Sequence, residues 1–183
     1  MSRPRTDRLR YYTWYTKNNK RNSSPNPSPN LMFPKVVAFE TSGVLFSGDL
    51  RKDVWGKGPG ASKTLANNVE QVSERVLRDK SNSQNTVELY EDIPRIIHHV
   101  LQSGAALAIV SRTQSKDLSD RVLYFFHAID PKTNVGKPII KMVKYDEVVD
   151  EPKIKHFGRI QGWHKCTYKD IVGGQLLSLF EDN

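Results

Sequence analysis

The sequence predicts a doubly wound α/β domain, a parallel sheet with helices on both faces, and three observations carry that expectation. Apolar or β-branched runs at 35–40, 105–110, 139–143 and 176–180 have strand character. Amphipathic stretches at 65–79, 94–103, 115–127 and 153–164 are interleaved with them. Polar residues gather immediately after the strands, where ligands bind in sheets of this kind.

Each element has its own warrant. Lys35-Val-Val-Ala-Phe-Glu40 is a short buried strand that ends in an acid and a Ser42-Gly43 turn. Residues 47–64 are glycine-rich and read as a loop, and Leu65, Val69, Val72, Val76 and Leu77 recur at helical spacing over 65–79. After a polar stretch at 80–86, Ile96, Ile97, Val100 and Leu101 form one helical stripe, closed by Gly104. Ala105–Val110 is a fully apolar strand leading to Ser111-Arg112-Thr113. The helix over 115–127 turns Leu118, Val122, Phe125 and Phe126 inward. IIKMV (139–143) reads as a strand, Pro152 opens a helix over 153–164, and LLSLF (176–180) reads as the last strand. The polar residues at the strand ends are Glu40, Ser42, Ser111, Arg112, Glu181 and Asp182.

Composition narrows the function classes. The chain has 183 residues with 37% hydrophobic and 26% charged, enough for one domain plus a tail. No run approaches the roughly 20 apolar residues of a membrane-spanning helix. Cys166 is the lone cysteine, which excludes an internal disulfide and a four-thiolate zinc site and points to the cytoplasm or nucleus. Of the net charge of +8, residues 1–30 contribute +6, from seven Lys/Arg against Asp7. Residues 1–32 therefore read as a basic, aromatic-containing, solvated tail before a domain at 33–183. The tail leaves organelle targeting open. A nucleic-acid role for it ranks last, because the rest of the chain is close to neutral.

One motif is a decoy. Gly56–Thr64 resembles the nucleotide-binding G-x-x-x-x-G-K-[ST] loop, but Lys57 and Ser62 stand where that loop needs glycine. The histidines carry no site either. His98 and His99 are adjacent and face different directions on a helix, His156 reads as helix packing, and His127 and His164 have no evident partner.

Four blocks occur in one order: FPKVVAFETSGVLF (33–46), VELYEDIPRIIHHVLQSGAALAIVSRT (87–113), PKIKHF (152–157) and LLSLFEDN (176–183). Together they resemble the magnesium-dependent phosphatase family of the haloacid dehalogenase (HAD-like) superfamily. Its members read roughly F-D-x-D-x-T-L-W, x-L-Y-x-x-x-P, a strand ending S-R-T, S-K-x-x-H-F and F-F-D-D-E. The resemblance covers 33–183 with a divergent stretch at 47–85, and implies a HAD-like, Rossmann-like sheet with a minimal cap. Members continue beyond F-D-D-E, so the expectation is a C-terminally short relative.

The resemblance also implies roles. The nucleophile position falls on Glu40, the general-acid position on Ser42, the phosphoryl-oxygen ligand on Ser111 and the charge-neutralising lysine on Lys153. Arg112 lies beside Ser111 and is placed to help substrate binding. Magnesium (Mg2+) would be held by Glu40, Ser42, Glu181 and Asp182. The substrate would be a phosphorylated small molecule or a phosphoprotein. Two of these positions depart from the family. Glu40 replaces an aspartate, and one methylene moves the attacking oxygen by roughly 1 Å, a displacement that can cost about 10²-fold. Ser42 replaces the acid, and lost acid–base catalysis costs about 10²–10⁴-fold. The expectation is weak or absent hydrolysis, with a non-catalytic phosphate- or phosphopeptide-binding module as the alternative.

Overall fold

Four consecutive buried residues, Val36–Phe39, form β1, and strands buried on both faces are what a covered parallel sheet requires. The computed structural model describes residues 33–112 and 115–173. The tail, the expected strand at 176–180, and Glu181 and Asp182 lie outside the described residues. β1 runs into a tight turn and a two-residue strand, β2 (Phe46–Ser47). There follow β3 (Val69–Gln71), β4 (Val76–Asp79) and β5 (Asn82–Leu89), then the helix α1 (Ile93–Gln102) and the strand β6 (Ala106–Ser111). The helix α2 (Lys116–Phe125) leads to a hairpin of β7 (His127–Asp130) and β8 (Val135–Pro138). The described chain closes with β9 (Tyr145–Val148), the helix α3 (Lys153–His164) and β10 (Ile171–Gly173).

β10, β1, β6 and β9 make a four-stranded sheet in that order, all pairs parallel. Val37 lies opposite Leu107 and Val172, which fixes the register at the centre. Alternate residues of β1 and β6 (Val36, Ala38, Ala108 and Val110) pack with Tyr145 and with Phe157 and Ile160 of α3. Helix α1 buries Ile93, Ile97 and Val100, and α2 buries Leu118, Val122 and Leu123, while Ile96, Leu101 and Phe125 of the expected stripes are only partly buried. No helix among the described residues is long and apolar enough to cross a membrane.

The structure corrects the reading of two segments. Residues 65–79 do not form a helix: Leu65–Asn68 is a 3-10 turn, and β3 and β4 follow as an antiparallel hairpin. The valines had been read at helical spacing, but β-branched residues also suit strands, and Ser73 makes the turn by accepting from the N–H groups of Arg75 and Val76. Residues 139–141 are another 3-10 turn, and the strand expected at 139–143 is instead β9, which begins at Tyr145. The strand beside β1 is β10, at 171–173, a segment for which no strand is expected from the sequence.

The segment between β1 and α1 thus holds a second, antiparallel sheet, ordered β2-β5-β4-β3. Its organiser is Asp79, fully buried at the end of β4. One carboxylate oxygen accepts from the Ser81 N–H and hydroxyl, the other from the Gly56 N–H at 2.7 Å and from the Asn85 amide. Gly58 donates to the Ser81 hydroxyl at 3.1 Å, and a Cβ on Gly58 would stand 1.7 Å from the Ser81 carbonyl oxygen. Gly58 of the nucleotide-loop decoy therefore serves close backbone packing against the β4–β5 turn, and Gly56 ties the same loop to Asp79.

Burial pushes the Asp79 carboxyl up, but its hydrogen bonds from Gly56, Ser81 and Asn85 outweigh that and leave it below the ordinary carboxylate value. A carboxyl lowered in the folded state stabilises above its unfolded value, near pH 4, and loses that contribution as pH falls through the folded value. We expect Asp79→Ala to lower the unfolding free energy by about 2–3 kcal/mol at neutral pH, because several buried donors lose their acceptor. In urea denaturation the gap from wild type should shrink as the pH is taken below the ordinary carboxylate range. A gap that grows on acidification would contradict this account.

Candidate functional site

β1, β6 and β9 are neighbours with parallel directions, so their carboxyl ends open on one edge of the sheet. β1 delivers Glu40, Thr41 and Ser42 there, β6 delivers Ser111 and Arg112, and the connector after β9 delivers Asp150 and then Lys153, the first residue of α3. The ETSG segment is held by a tight turn. Gly43 sits in the left-handed region at φ 82°, its N–H donates to the Phe46 carbonyl, and Leu45 donates to Thr41 at 2.9 Å. Leu45 and Phe46 are fully buried, which anchors the turn to the core.

Four links tie the strand ends together. Lys153 Nζ donates to Glu40 Oε2 at 2.8 Å across 113 residues of sequence. Thr41 Oγ1 and Ser111 Oγ share a buried hydrogen bond of 2.8 Å. The Val149 N–H donates to the Ser111 carbonyl at 3.1 Å, and Arg112 lies 3.6 Å from Asp150. Of the residues singled out in the sequence, the structure brings Glu40 and Lys153 into direct contact and sets Ser111 and Arg112 on the adjacent strand end. Ser42 is partly buried within the turn and bridges to Phe46.

Two residues escaped the sequence reading. Thr41 was the unremarked middle of E-T-S, although a polar residue directly after a buried strand must find a partner, and its partner is Ser111. Asp150 carries no motif; only its place after a β9-like run marks it. The charges at the site pair off, Glu40 with Lys153 and Arg112 with Asp150.

The match to a family model decides what this edge of the sheet descends from. The model described as acid phosphatase covers residues 33–182. The chain belongs to the acid phosphatase family. This is a magnesium-dependent phosphatase family of the HAD-like superfamily, and the parallel sheet with its flanking helices agrees with that fold. No curated protein matched the chain.

Family membership raises the question of the metal. Among the described residues no group of three or more His, Cys, Asp or Glu side chains stands close enough to hold an ion. Glu40 offers one carboxylate, already engaged by Lys153, and Ser42 a hydroxyl. Magnesium favours several hard oxygen ligands in near-octahedral geometry, so the described residues alone do not make such a site, and no chemical step is derived through it.

The Glu40 and Lys153 side chains are 21% and 33% exposed, which puts their pair between the surface and buried classes. A double-mutant cycle of Glu40→Gln and Lys153→Met, read by denaturant unfolding, should give a coupling of about 1 kcal/mol. That coupling should shrink as salt screens the pair. Zero coupling at low salt would contradict the contact.

Proposed function

We propose that this acid phosphatase family member is a phosphomonoester hydrolase by descent whose hydrolysis step is weak or lost. Its substrates or ligands would be phosphorylated small molecules or phosphoproteins. The observation that carries this reading is the 2.8 Å Lys153–Glu40 pair beside Ser42. Hydrolysis by this scaffold needs a carboxylate oxygen to bond phosphorus while the leaving oxygen departs and takes a proton. Glu40 occupies the attacking position with an extra methylene and with its charge directed at Lys153. Ser42 offers a hydroxyl that cannot release a proton near neutral pH, so the leaving group would depart as an alkoxide or draw its proton from water. Ser111, Arg112 and Lys153 supply the recognition side. The magnesium expected of the family needs acidic donors beyond Glu40, and Glu181 and Asp182 are the candidates. The lone cysteine supports a reducing compartment, and we propose the cytoplasm.

The test is turnover of p-nitrophenyl phosphate with and without magnesium, comparing wild type with the double variant Glu40→Asp/Ser42→Asp. We expect the double variant to exceed wild type by about 10⁴-fold or more, in a magnesium-dependent manner. A wild type as fast as the double variant would overturn the reading. Phosphate binding without turnover in wild type would favour the non-catalytic binding module.

A further inference from the structure

We infer that His156 is a positioning residue for Lys153, its imidazole carrying a proton on both nitrogens and clamping the end of β9 to the connector that leads into α3. The inference rests on the proposed role of Lys153 as the cation that faces phosphate.

His156 is fully buried on α3, one turn after Lys153. Its Nδ1 lies 3.0 Å from the Glu147 carbonyl oxygen and its Nε2 lies 3.0 Å from the Glu151 carbonyl oxygen. Carbonyl oxygens only accept, so each ring nitrogen must donate. A neutral imidazole has one N–H and would turn a bare lone pair toward the other carbonyl, in a place closed to water. Both contacts are made together only by the doubly protonated ring.

The surroundings fit that charge. From β9, the buried Glu147 carboxylate reaches within 3.4 Å of Nδ1. From α3, Arg159 holds the same carboxylate oxygen at 2.9 Å through Nε and 2.5 Å through Nη2, and reaches Glu151 at 2.6 Å. Lys155 also lies 3.4 Å from Glu151. The Glu147 carboxylate therefore faces both His156 and Arg159, the Glu151 carboxylate faces Arg159 and Lys155, and the counter-charge to the ring comes from β9.

The clamp acts where the site is assembled. Glu147 and Glu151 bracket the short connector that carries Val149, bonded to Ser111, and Asp150, beside Arg112. Lys153 follows Glu151 by two residues. Without either ring donor one bracket is left unbonded, the connector is released, and the Lys153 ammonium is loosened from Glu40.

The test uses the full, isotopically labelled chain and two NMR readouts. We expect both His156 ring nitrogens of the folded protein to bear slowly exchanging protons, because each faces a carbonyl oxygen. A single bare nitrogen overturns the inference, and this measurement stands even if variants fail to fold. In wild type the Lys153 ammonium should give an ordered signal, lost in His156→Gln; a signal unchanged by that substitution also overturns it. A histidine that merely filled space would leave the Lys153 signal in place. Neither readout involves phosphate, so a failure of phosphate binding, which would overturn the functional reading, cannot be mistaken for a failure of the clamp.

Discussion

The Glu40–Lys153 ion pair is the constraint around which the carboxyl-end edge of the parallel sheet is arranged. It joins the end of the first strand to the start of the last described helix, and it forms because neither charge is fully solvated there. A half-buried carboxylate beside a half-buried ammonium gains from contact, and the contact occupies the two groups that a phosphate ester would need separately. On the proposed reading, an incoming phosphate must take Lys153 from Glu40 and then approach the carboxylate it has displaced. The same interaction that orders the site therefore opposes its use.

The remaining scaffold fixes where the strand-end side chains stand. β1 and β6 are buried on both faces, so Glu40 and Ser111 emerge from a rigid sheet, and the buried Thr41–Ser111 bond fixes the two strand ends to each other. The Gly43 turn positions Ser42, and the connector after β9 is fastened from both sides. Between β1 and α1, the antiparallel sheet depends on Asp79, a buried acid satisfied by backbone and side-chain donors. That arrangement is structural, and it explains glycines that in sequence suggest nucleotide binding.

Where one physical signal dominated, the sequence was legible. Ile97, Val100, Leu118 and Val122 mark α1 and α2 because only one helical face can be apolar in a surface helix. Val36–Phe39 and Leu107–Val110 mark central strands because nothing polar interrupts them. The valines of 69–76 carry two signals, spacing for a helix and branching for a strand, and the hairpin wins because Ser73 turns the chain between β3 and β4 and Asp79 turns it after β4. At the site, Glu40, Ser111 and Lys153 were found through the order of motifs. Thr41 and Asp150 were not, since their importance lies in partners far along the chain that no local pattern displays.

The central claim is that Glu40 in this chain acts first as the counter-ion of Lys153, so that it suppresses phosphate affinity. Isothermal titration of inorganic phosphate into wild type and Glu40→Gln, in magnesium-free buffer, tests it directly. The account predicts tighter binding to the variant, by about tenfold, because removing the carboxylate ends its competition for Lys153 and its repulsion of the anion, a gain of about 1.4 kcal/mol. Equal or weaker binding in Glu40→Gln would contradict it.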